Sequence, residues 1–153
     1  GDANTSRFRT PRRMNPPDGY SPTDHSSPYM DLIGKLFEYG VGSDDYRLGM
    51  RVEEHHTNRI GQCHGAVLAA LADVHLLRVI ALTTKPRLTL VTVHLGLDYL
   101  SPAPLGSWME GRGRIDRMGR ALCHSSGMIY ADGKPALRAA GVFQIISSDR
   151  LKK

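Results

Sequence analysis

The spacing of apolar residues changes several times along the chain, and each change predicts a different element. Over residues 29–39, apolar side chains recur every three or four positions, which predicts a short helix stopped by Gly40. Residues 46–56 show the pattern of a strand, and a polar turn over 57–63 follows. Residues 64–82 are apolar nearly all round, which predicts a long helix enclosed by other elements.

After Pro86 the pattern changes to alternating residues, many of them β-branched. It predicts strands over residues 88–99, 107–117, 121–131 and 136–147. The dipeptides Met118-Gly119 and Asp132-Gly133 separate the last three strands as hairpin turns. This order of elements predicts an α+β domain, in which an antiparallel sheet with a four-strand meander curls around the central helix.

The first 28 residues differ in composition from the rest of the chain. Prolines at positions 11, 16, 17, 22 and 28 lie among Ser, Asp and Arg, which predicts an irregular or disordered segment. A length of 153 residues is most simply one domain. We assign residues 29–147 to that domain and 148–153 to a C-terminal tail.

Composition and charge exclude several classes of protein. Hydrophobic content of 41% and charged content of 23% are ordinary for a soluble globular protein. The basic N-terminal segment has only Phe8 as an aromatic residue interleaved with its arginines and contains acids, so we expect no nucleic-acid partner. No apolar run reaches the roughly 18 residues of a membrane span, and no hydrophobic signal core is present. We therefore expect a cytoplasmic protein without a membrane partner. Its net charge of +5 is compatible with an anionic small molecule or with nucleic acid and by itself indicates neither.

Neither metal nor thiol chemistry is indicated. Two cysteines, Cys63 and Cys123, are too few for a disulfide framework or a zinc site. Cys63 adjoins a candidate site but lacks an evident orienting base, so a nucleophilic cysteine is the weaker alternative. His55 and His56 are neighbours on a predicted strand and would point to opposite faces, which disfavours a metal site. We expect no metal and no cofactor.

The candidate chemistry lies on the long helix. Asp73 interrupts an apolar run, and a carboxylate there costs stability unless it has a use. Gly65 lies at the predicted N-terminus, where backbone N–H groups are unpaired. Asp73 follows Gly65 by eight residues, which is roughly 12 Å along a helix axis. That distance is too long for the Gly65 N–H and the Asp73 carboxylate to contact one small atom. Two antiparallel helices in a symmetric dimer would bring Asp73 of one subunit towards Gly65 of the other.

A set of motifs over residues 45–147 resembles the PaaI-like acyl-CoA thioesterases, a hotdog-fold group of the 4-hydroxybenzoyl-CoA thioesterase superfamily. The resemblance rests on Asn58, the run His64-Gly65-Ala66, Asp73, Thr92 and the run 99–103, read Tyr-Leu-Ser-Pro-Ala. The family pattern has a second Gly where Ala66 stands and accepts Ser or Thr at the place of Thr92. His75 is not part of that pattern. The resemblance implies a hotdog fold and a thioester hydrolase.

The resemblance also implies roles for individual residues. The Gly65 N–H would polarise the thioester carbonyl, and Asp73 of the partner subunit would act as general base or nucleophile. Asn58 would hold the carbonyl or the water, and Thr92 would position the water. His64 is a candidate for the site or for a structural hydrogen bond only.

Cationic residues are expected where the CoA phosphates would lie. Arg117 and Arg120 flank the Met118-Gly119 turn, and Arg87 is a looser candidate. The resemblance further implies a homodimer that assembles into a homotetramer.

Two alternatives remain open on the sequence alone. The chain could be a non-catalytic acyl-CoA-binding hotdog module, a sensor or scaffold, although such a module has no need of an acid at the site. Asp73 could instead pair with Arg78 or face solvent. The acyl group is not indicated by the sequence.

Overall fold

One long helix, α2, runs through the middle of the molecule from Gly65 to Ala81, as the apolar run predicts. The computed structural model describes residues 16–24 and 26–146. His64 is the N-cap of α2 and Leu82 is its C-cap. Leu71, Leu76 and Ile80 are almost completely buried along its length. The helix packs against five strands, so its nearly all-round apolar surface is explained by enclosure.

A single antiparallel sheet encloses this helix. It consists of β1 (Ser21–Pro22), β2 (Phe37–Tyr39), β3 (Arg47–Arg51), β4 (Thr89–Tyr99), β5 (Trp108–Met118), β6 (Leu122–Ala131) and β7 (Lys134–Ile146). The spatial order is β1-β2-β3-β5-β6-β7-β4. The predicted α+β class, with a sheet wrapped around a central helix, is confirmed.

The predicted four-strand meander is wrong in one respect, because β4 does not pair with β5. Strands β5, β6 and β7 form a meander, while β4 lies at the edge beside β7. The eight residues between β4 and β5 are too many for a tight hairpin and include Pro102 and Pro104. They instead cross to the turn before α2, where Cys63 N–H donates to the Ala103 carbonyl over 2.8 Å. β5 can therefore start beside β3 and leave β4 at the edge.

The first helix is shorter than predicted. Helix α1 spans Pro28–Ile33 and ends at Gly34, whose φ of 146° is a conformation that favours glycine. The predicted stop at Gly40 is therefore wrong. Phe37 and Tyr39 belong to β2, where pairing with β3 overrides their helical spacing.

The strand predicted over residues 46–56 is also shorter. β3 ends at Arg51, and one turn of 3₁₀ helix follows over Glu54–His56. The Glu53 N–H donates to Nδ1 of His56 over 2.9 Å, which closes this turn as a capping box. His55 and His56 thus lie on a turn, and the expectation that they point to opposite faces of a strand is wrong.

Part of the predicted N-terminal segment is ordered structure. β1 pairs with β2, and the Tyr20 ring packs edge-on against Trp108 with ring centroids 5.0 Å apart. Residues 1–15 and the predicted tail over 148–153 lie outside the described residues. No helix within residues 16–24 and 26–146 is long and apolar enough to cross a membrane.

Candidate active site

The turn before α2 is organised by Asn58. Its Oδ1 accepts hydrogen bonds from the N–H groups of Ile60 and Gln62, each at 3.1 Å. Its backbone N–H donates to the Gln62 carbonyl over 2.7 Å. The side-chain oxygen of Asn58 is therefore engaged in holding the turn, and its Nδ2 group is the part that can reach a ligand.

The N-terminus of α2 presents the Gly65 N–H, which has no acceptor within the described part of the chain. Nδ1 of His64 accepts a hydrogen bond from the Ala66 N–H over 3.0 Å, which places the proton of the neutral ring on Nε2. Nothing in residues 16–24 and 26–146 accepts a hydrogen bond from the Gly65 N–H. This N–H carries the partial positive charge of the helix terminus and is suited to bind a carbonyl oxygen or an anion.

Tyr99, at the end of β4, covers the same glycine. Its hydroxyl donates to the Gly65 carbonyl over 2.5 Å. A Cβ placed on Gly65 would lie 3.3 Å from three atoms of the Tyr99 side chain, which is a tight contact. In the sequence Tyr99 is only the first residue of the motif over 99–103, and nothing in that motif indicates a role of its own.

Asp73 lies at the middle of α2 and is half-buried. Its Oδ1 accepts a hydrogen bond from the Thr92 hydroxyl over 2.6 Å, so β4 brings together two residues that the sequence predicted for one site. No salt bridge to Asp73 is present in the described part of the chain. The alternative that Asp73 pairs with Arg78 is wrong, because Nη2 of Arg78 contacts Glu38 at 2.6 Å.

His75 packs and does not face the site. It is buried between α2 and β5, with its ring parallel to that of Tyr46. A Cβ on Gly111 would lie 2.6 Å from the His75 ring, so that glycine leaves room for the imidazole. Burial lowers the pKa of His75 to about 4 and keeps the ring neutral.

The three candidate arginines come to one end of the sheet. β5 ends and β6 begins there, so Arg117 and Arg120 are both exposed at the hairpin between these strands. Arg87 precedes β4 at the same end, but its Nη2 contacts Asp24 at 3.0 Å. This is the end at which α2 finishes, whereas Gly65 lies at the opposite end.

The structure gives little support to a cysteine nucleophile at Cys63 or to a metal site at His55 and His56. Burial raises the pKa of the Cys63 thiol to about 11, which opposes a thiolate nucleophile. Glu53, His55 and His56 lie close enough to hold a metal ion. However, Nδ1 of His56 accepts from the Glu53 N–H, and Nε2 faces the Ile33 carbonyl. Both ring nitrogens of His56 are thus engaged in local structure.

The candidate site residues therefore form two groups within one chain. Asn58, His64 and Gly65 lie together at the start of α2, and Asp73 with Thr92 lies further along. The helix separates Gly65 from Asp73 by roughly 12 Å, at 1.5 Å per residue. One chain offers a free helix N-terminal N–H and a half-buried carboxylate, but not at the same point.

Solved structures with the same architecture have the hotdog fold. Zebrafish thioesterase superfamily member 2 aligns with a TM-score of 0.71 at 22% identity, over 79% of this chain and 88% of that chain. Escherichia coli PaaI, from the phenylacetic acid degradation operon, gives 0.67 at 18% identity, over 73% and 80%. A hypothetical thioesterase of Streptococcus pneumoniae, determined with coenzyme A, gives 0.64 at 22%, over 73% and 86%. These identities show the fold alone, and it is that of the PaaI-like hotdog proteins.

Sequence relatives identify the family. The family model described as the thioesterase superfamily matches residues 60–136. A Pseudomonas aeruginosa protein named as a candidate esterase is 34% identical over 132 residues, which cover 86% of this chain and 98% of that protein. Human acyl-coenzyme A thioesterase 13 is 35% identical over 95 residues, covering 62% of this chain and 67% of the human protein. The chain belongs to the thioesterase superfamily.

Proposed function

We propose that this protein hydrolyses an acyl-CoA thioester to a carboxylic acid and CoA, at an active site shared by two subunits. The observation that carries the proposal is Asp73, a half-buried carboxylate whose hydrogen bond comes from the neutral Thr92 hydroxyl. It lies on a helix that begins with the unpaired Gly65 N–H. The acyl-CoA thioesterase among the sequence relatives and the CoA-bound neighbour support this substrate class.

The Gly65 N–H binds the thioester oxygen. As the carbonyl carbon becomes tetrahedral, negative charge develops on that oxygen, and a fixed N–H at a helix N-terminus stabilises it. The Nε2–H of His64 and the Nδ2 group of Asn58 are further candidate donors, because both residues belong to the segment that leads into α2. When the C–S bond breaks, the electron pair leaves with the CoA sulfur, which takes up the proton that water supplies, and the carbonyl re-forms.

Asp73 acts on the carbonyl carbon in one of two ways. As general base it takes a proton from water, and the resulting hydroxide attacks the carbon. As nucleophile it attacks directly and forms an anhydride, which water then hydrolyses. In both routes Thr92 orients the carboxylate through its 2.6 Å hydrogen bond.

The roughly 12 Å between Gly65 and Asp73 leads us to infer a two-fold dimer. β4 is an edge strand, and Val93 on it is 55% exposed. Exposed edge strands pair readily with another chain. Antiparallel pairing of two β4 strands would lay the two α2 helices side by side, with each Asp73 moved towards the partner's Gly65. A dimer of such dimers is the homotetramer that the family resemblance implies.

The CoA phosphates are assigned to the arginine-bearing end of the sheet. Arg117 and Arg120 are exposed, and no salt bridge within residues 16–24 and 26–146 engages them. In an antiparallel dimer this end of one subunit lies towards the Gly65 end of its partner. The phosphates and the reacting carbonyl can thus belong to one bound molecule.

The decisive experiment compares wild type with Asp73→Asn on hexanoyl-CoA, palmitoyl-CoA and phenylacetyl-CoA, by release of the free thiol. We expect turnover to fall by at least ~10²-fold, as for loss of a positioned base. Affinity for acyl-CoA should persist, because Asp73 contacts the reacting carbonyl and not the nucleotide. Equal turnover in both proteins would refute the assignment. Binding without any wild-type turnover would support the sensor alternative.

The shared site has its own test. Val93→Lys places a charge on the exposed edge of β4, and we expect it to give a monomer with little activity. Val41→Lys, at an exposed loop valine, is the matched control and should change neither property. Sedimentation velocity and thiol release measure the two effects. A fully active monomer would contradict a site built from two subunits.

A further inference from the structure

Tyr99 contacts the first residue of α2, and this contact suggests a role for it in the function proposed above, on which the inference rests. We propose that Tyr99 is a positioning residue, which orients the carbonyl-binding N–H of Gly65 through the carbonyl of the same residue. Its hydroxyl donates to that carbonyl over 2.5 Å. Its ring lies against the Cα of the glycine.

The Gly65–Ala66 peptide is held from both ends. Nδ1 of His64 accepts from its N–H over 3.0 Å, and the Tyr99 hydroxyl donates to its C=O. The Gly65 N–H belongs to the preceding peptide, whose carbonyl, that of His64, accepts from the Val67 N–H over 2.9 Å. Tyr99 holds the peptide on the other side of the Gly65 Cα, so these bonds together restrain φ and ψ of the most freely rotating residue type, and with them the direction of its N–H.

Such a restraint matters at this position in particular. The first residues of a helix fray, since their N–H groups have no partner within the helix. An N–H stabilises a developing oxyanion most when it already points at the place where the charge appears. A Cβ on Gly65 would lie 3.3 Å from the Tyr99 Cε1, Cζ and hydroxyl atoms, so the ring also limits the space above the turn.

Strand β4 therefore supports both catalytic groups of α2. Thr92, near its start, contacts Asp73, and Tyr99, at its end, contacts Gly65. Burial raises the pKa of the Tyr99 hydroxyl, so it remains a hydrogen-bond donor through the neutral pH range. The ring is nevertheless 53% exposed, an arrangement more typical of a site wall than of a core residue.

The test is Tyr99→Phe, which removes the hydroxyl and keeps the ring. We expect kcat to fall about 10-fold with KM changed less than about 2-fold, the pattern of an interaction used in the transition state. Tyr29→Phe is the matched control, because Tyr29 is an exposed tyrosine on α1. It should leave both constants and the melting temperature unchanged. The substrate is whichever of the three acyl-CoA esters the wild type hydrolyses best.

A second measurement separates orientation from folding. Asp73→Asn is incubated with the same ester carrying a ¹³C-labelled carbonyl, and the carbonyl stretch is recorded by infrared difference spectroscopy. The bound carbonyl should absorb at lower frequency than in solution, and adding Tyr99→Phe should reverse part of that shift. An unchanged frequency and an unchanged kcat would each overturn the role of Tyr99.

The two proposals fail in different ways. If Asp73→Asn turns over as fast as wild type, the proposed function itself is wrong. If Asp73→Asn loses activity while Tyr99→Phe keeps the wild-type kcat, hydrolysis stands and the positioning role is refuted. A rise in KM alone for Tyr99→Phe would also refute it, because it would indicate uniform substrate binding.

Discussion

Asp73 and Arg78 are two charged residues on the same apolar helix, and their surroundings are opposite. Arg78 is only 8% exposed, and its Nη2 contacts Glu38 at 2.6 Å while Nε donates to the Tyr46 hydroxyl over 2.7 Å. That hydroxyl in turn donates to the same Glu38 oxygen over 3.0 Å. Asp73 is half-buried and accepts one hydrogen bond from a neutral hydroxyl.

The difference fits a structural role for Arg78 and the catalytic role proposed above for Asp73. The buried Arg78 guanidinium is bound to a carboxylate and to a hydroxyl that are themselves hydrogen-bonded to each other, so it is held away from solvent and substrate. Burial raises the pKa of Tyr46, which keeps it protonated as the donor that closes this triangle. The Asp73 carboxylate is half-buried and forms no salt bridge within the described residues. We expect one residue to control stability and the other to control turnover.

The largest effect that this contrast predicts is a loss of stability when Arg78 is replaced. Arg78→Met leaves the Glu38 carboxylate buried without its cation, and we expect a loss of about 3–5 kcal/mol in the free energy of unfolding. Urea denaturation measures it, and kcat of the remaining folded protein should stay within about 2-fold of wild type. Arg114→Met, which removes an exposed arginine paired with Asp116, should cost under about 1 kcal/mol. Equal losses of unfolding free energy in the two variants would mean that the buried Arg78 contributes no more to stability than an exposed arginine.

The next effect concerns pH and His75. Its pKa in the folded state is about 4, below the ordinary 6.5, so between these values the unfolded chain binds a proton that the folded chain does not. The free energy of unfolding therefore decreases as pH falls from 6.5 to 4, by up to about 3 kcal/mol from this group. His75→Gln does not titrate and should show a shallower decrease. Parallel stability curves for the two proteins would contradict this assignment.

A smaller effect is expected at the partner of Asp73. Thr92→Val keeps the shape of the side chain and removes the hydroxyl, and we expect kcat to fall about 10-fold because the carboxylate loses its orienting donor. Thr92→Ser retains the hydroxyl and should recover most of the activity. Thiol-release kinetics measure both variants. A Val variant as active as wild type would show that Thr92 has no role in turnover.

The mildest effect should occur at the two arginines of the hairpin between β5 and β6. Replacing Arg117 and Arg120 together with Ala should raise KM several-fold with kcat nearly unchanged, and added salt should do the same to wild type. Arg87→Ala should change KM less, because Asp24 already engages that guanidinium. A larger effect from Arg87 than from the Arg117 and Arg120 pair would move the phosphate site to the start of β4.

Much of the fold could be predicted from local pattern. The long helix, the last four strands and their Gly-containing turns follow from periodicity and turn chemistry, and the structure confirms them. The errors in single elements fall on residues 21–56, where short elements compete, and the pairing of β4 with β7 was also not predicted. Phe37 fits a helix by spacing, but pairing with β3 decides its conformation, and periodicity over so few residues does not report that pairing.

Local pattern was enough to predict that an apolar helix carries Asp73, begins near Gly65 and is enclosed by a sheet, because helix caps and periodicity are properties of neighbouring residues. What those residues touch depends on the folded chain as a whole. The position of β4 beside β7 brings Thr92 to Asp73 and Tyr99 to Gly65, over separations of 19 and 34 residues. The contact of Arg78 with Glu38 likewise depends on tertiary structure, because it joins β2 to α2 over a separation of 40 residues. Contacts across such distances depend on strand order and packing, for which a single sequence carries no local signal.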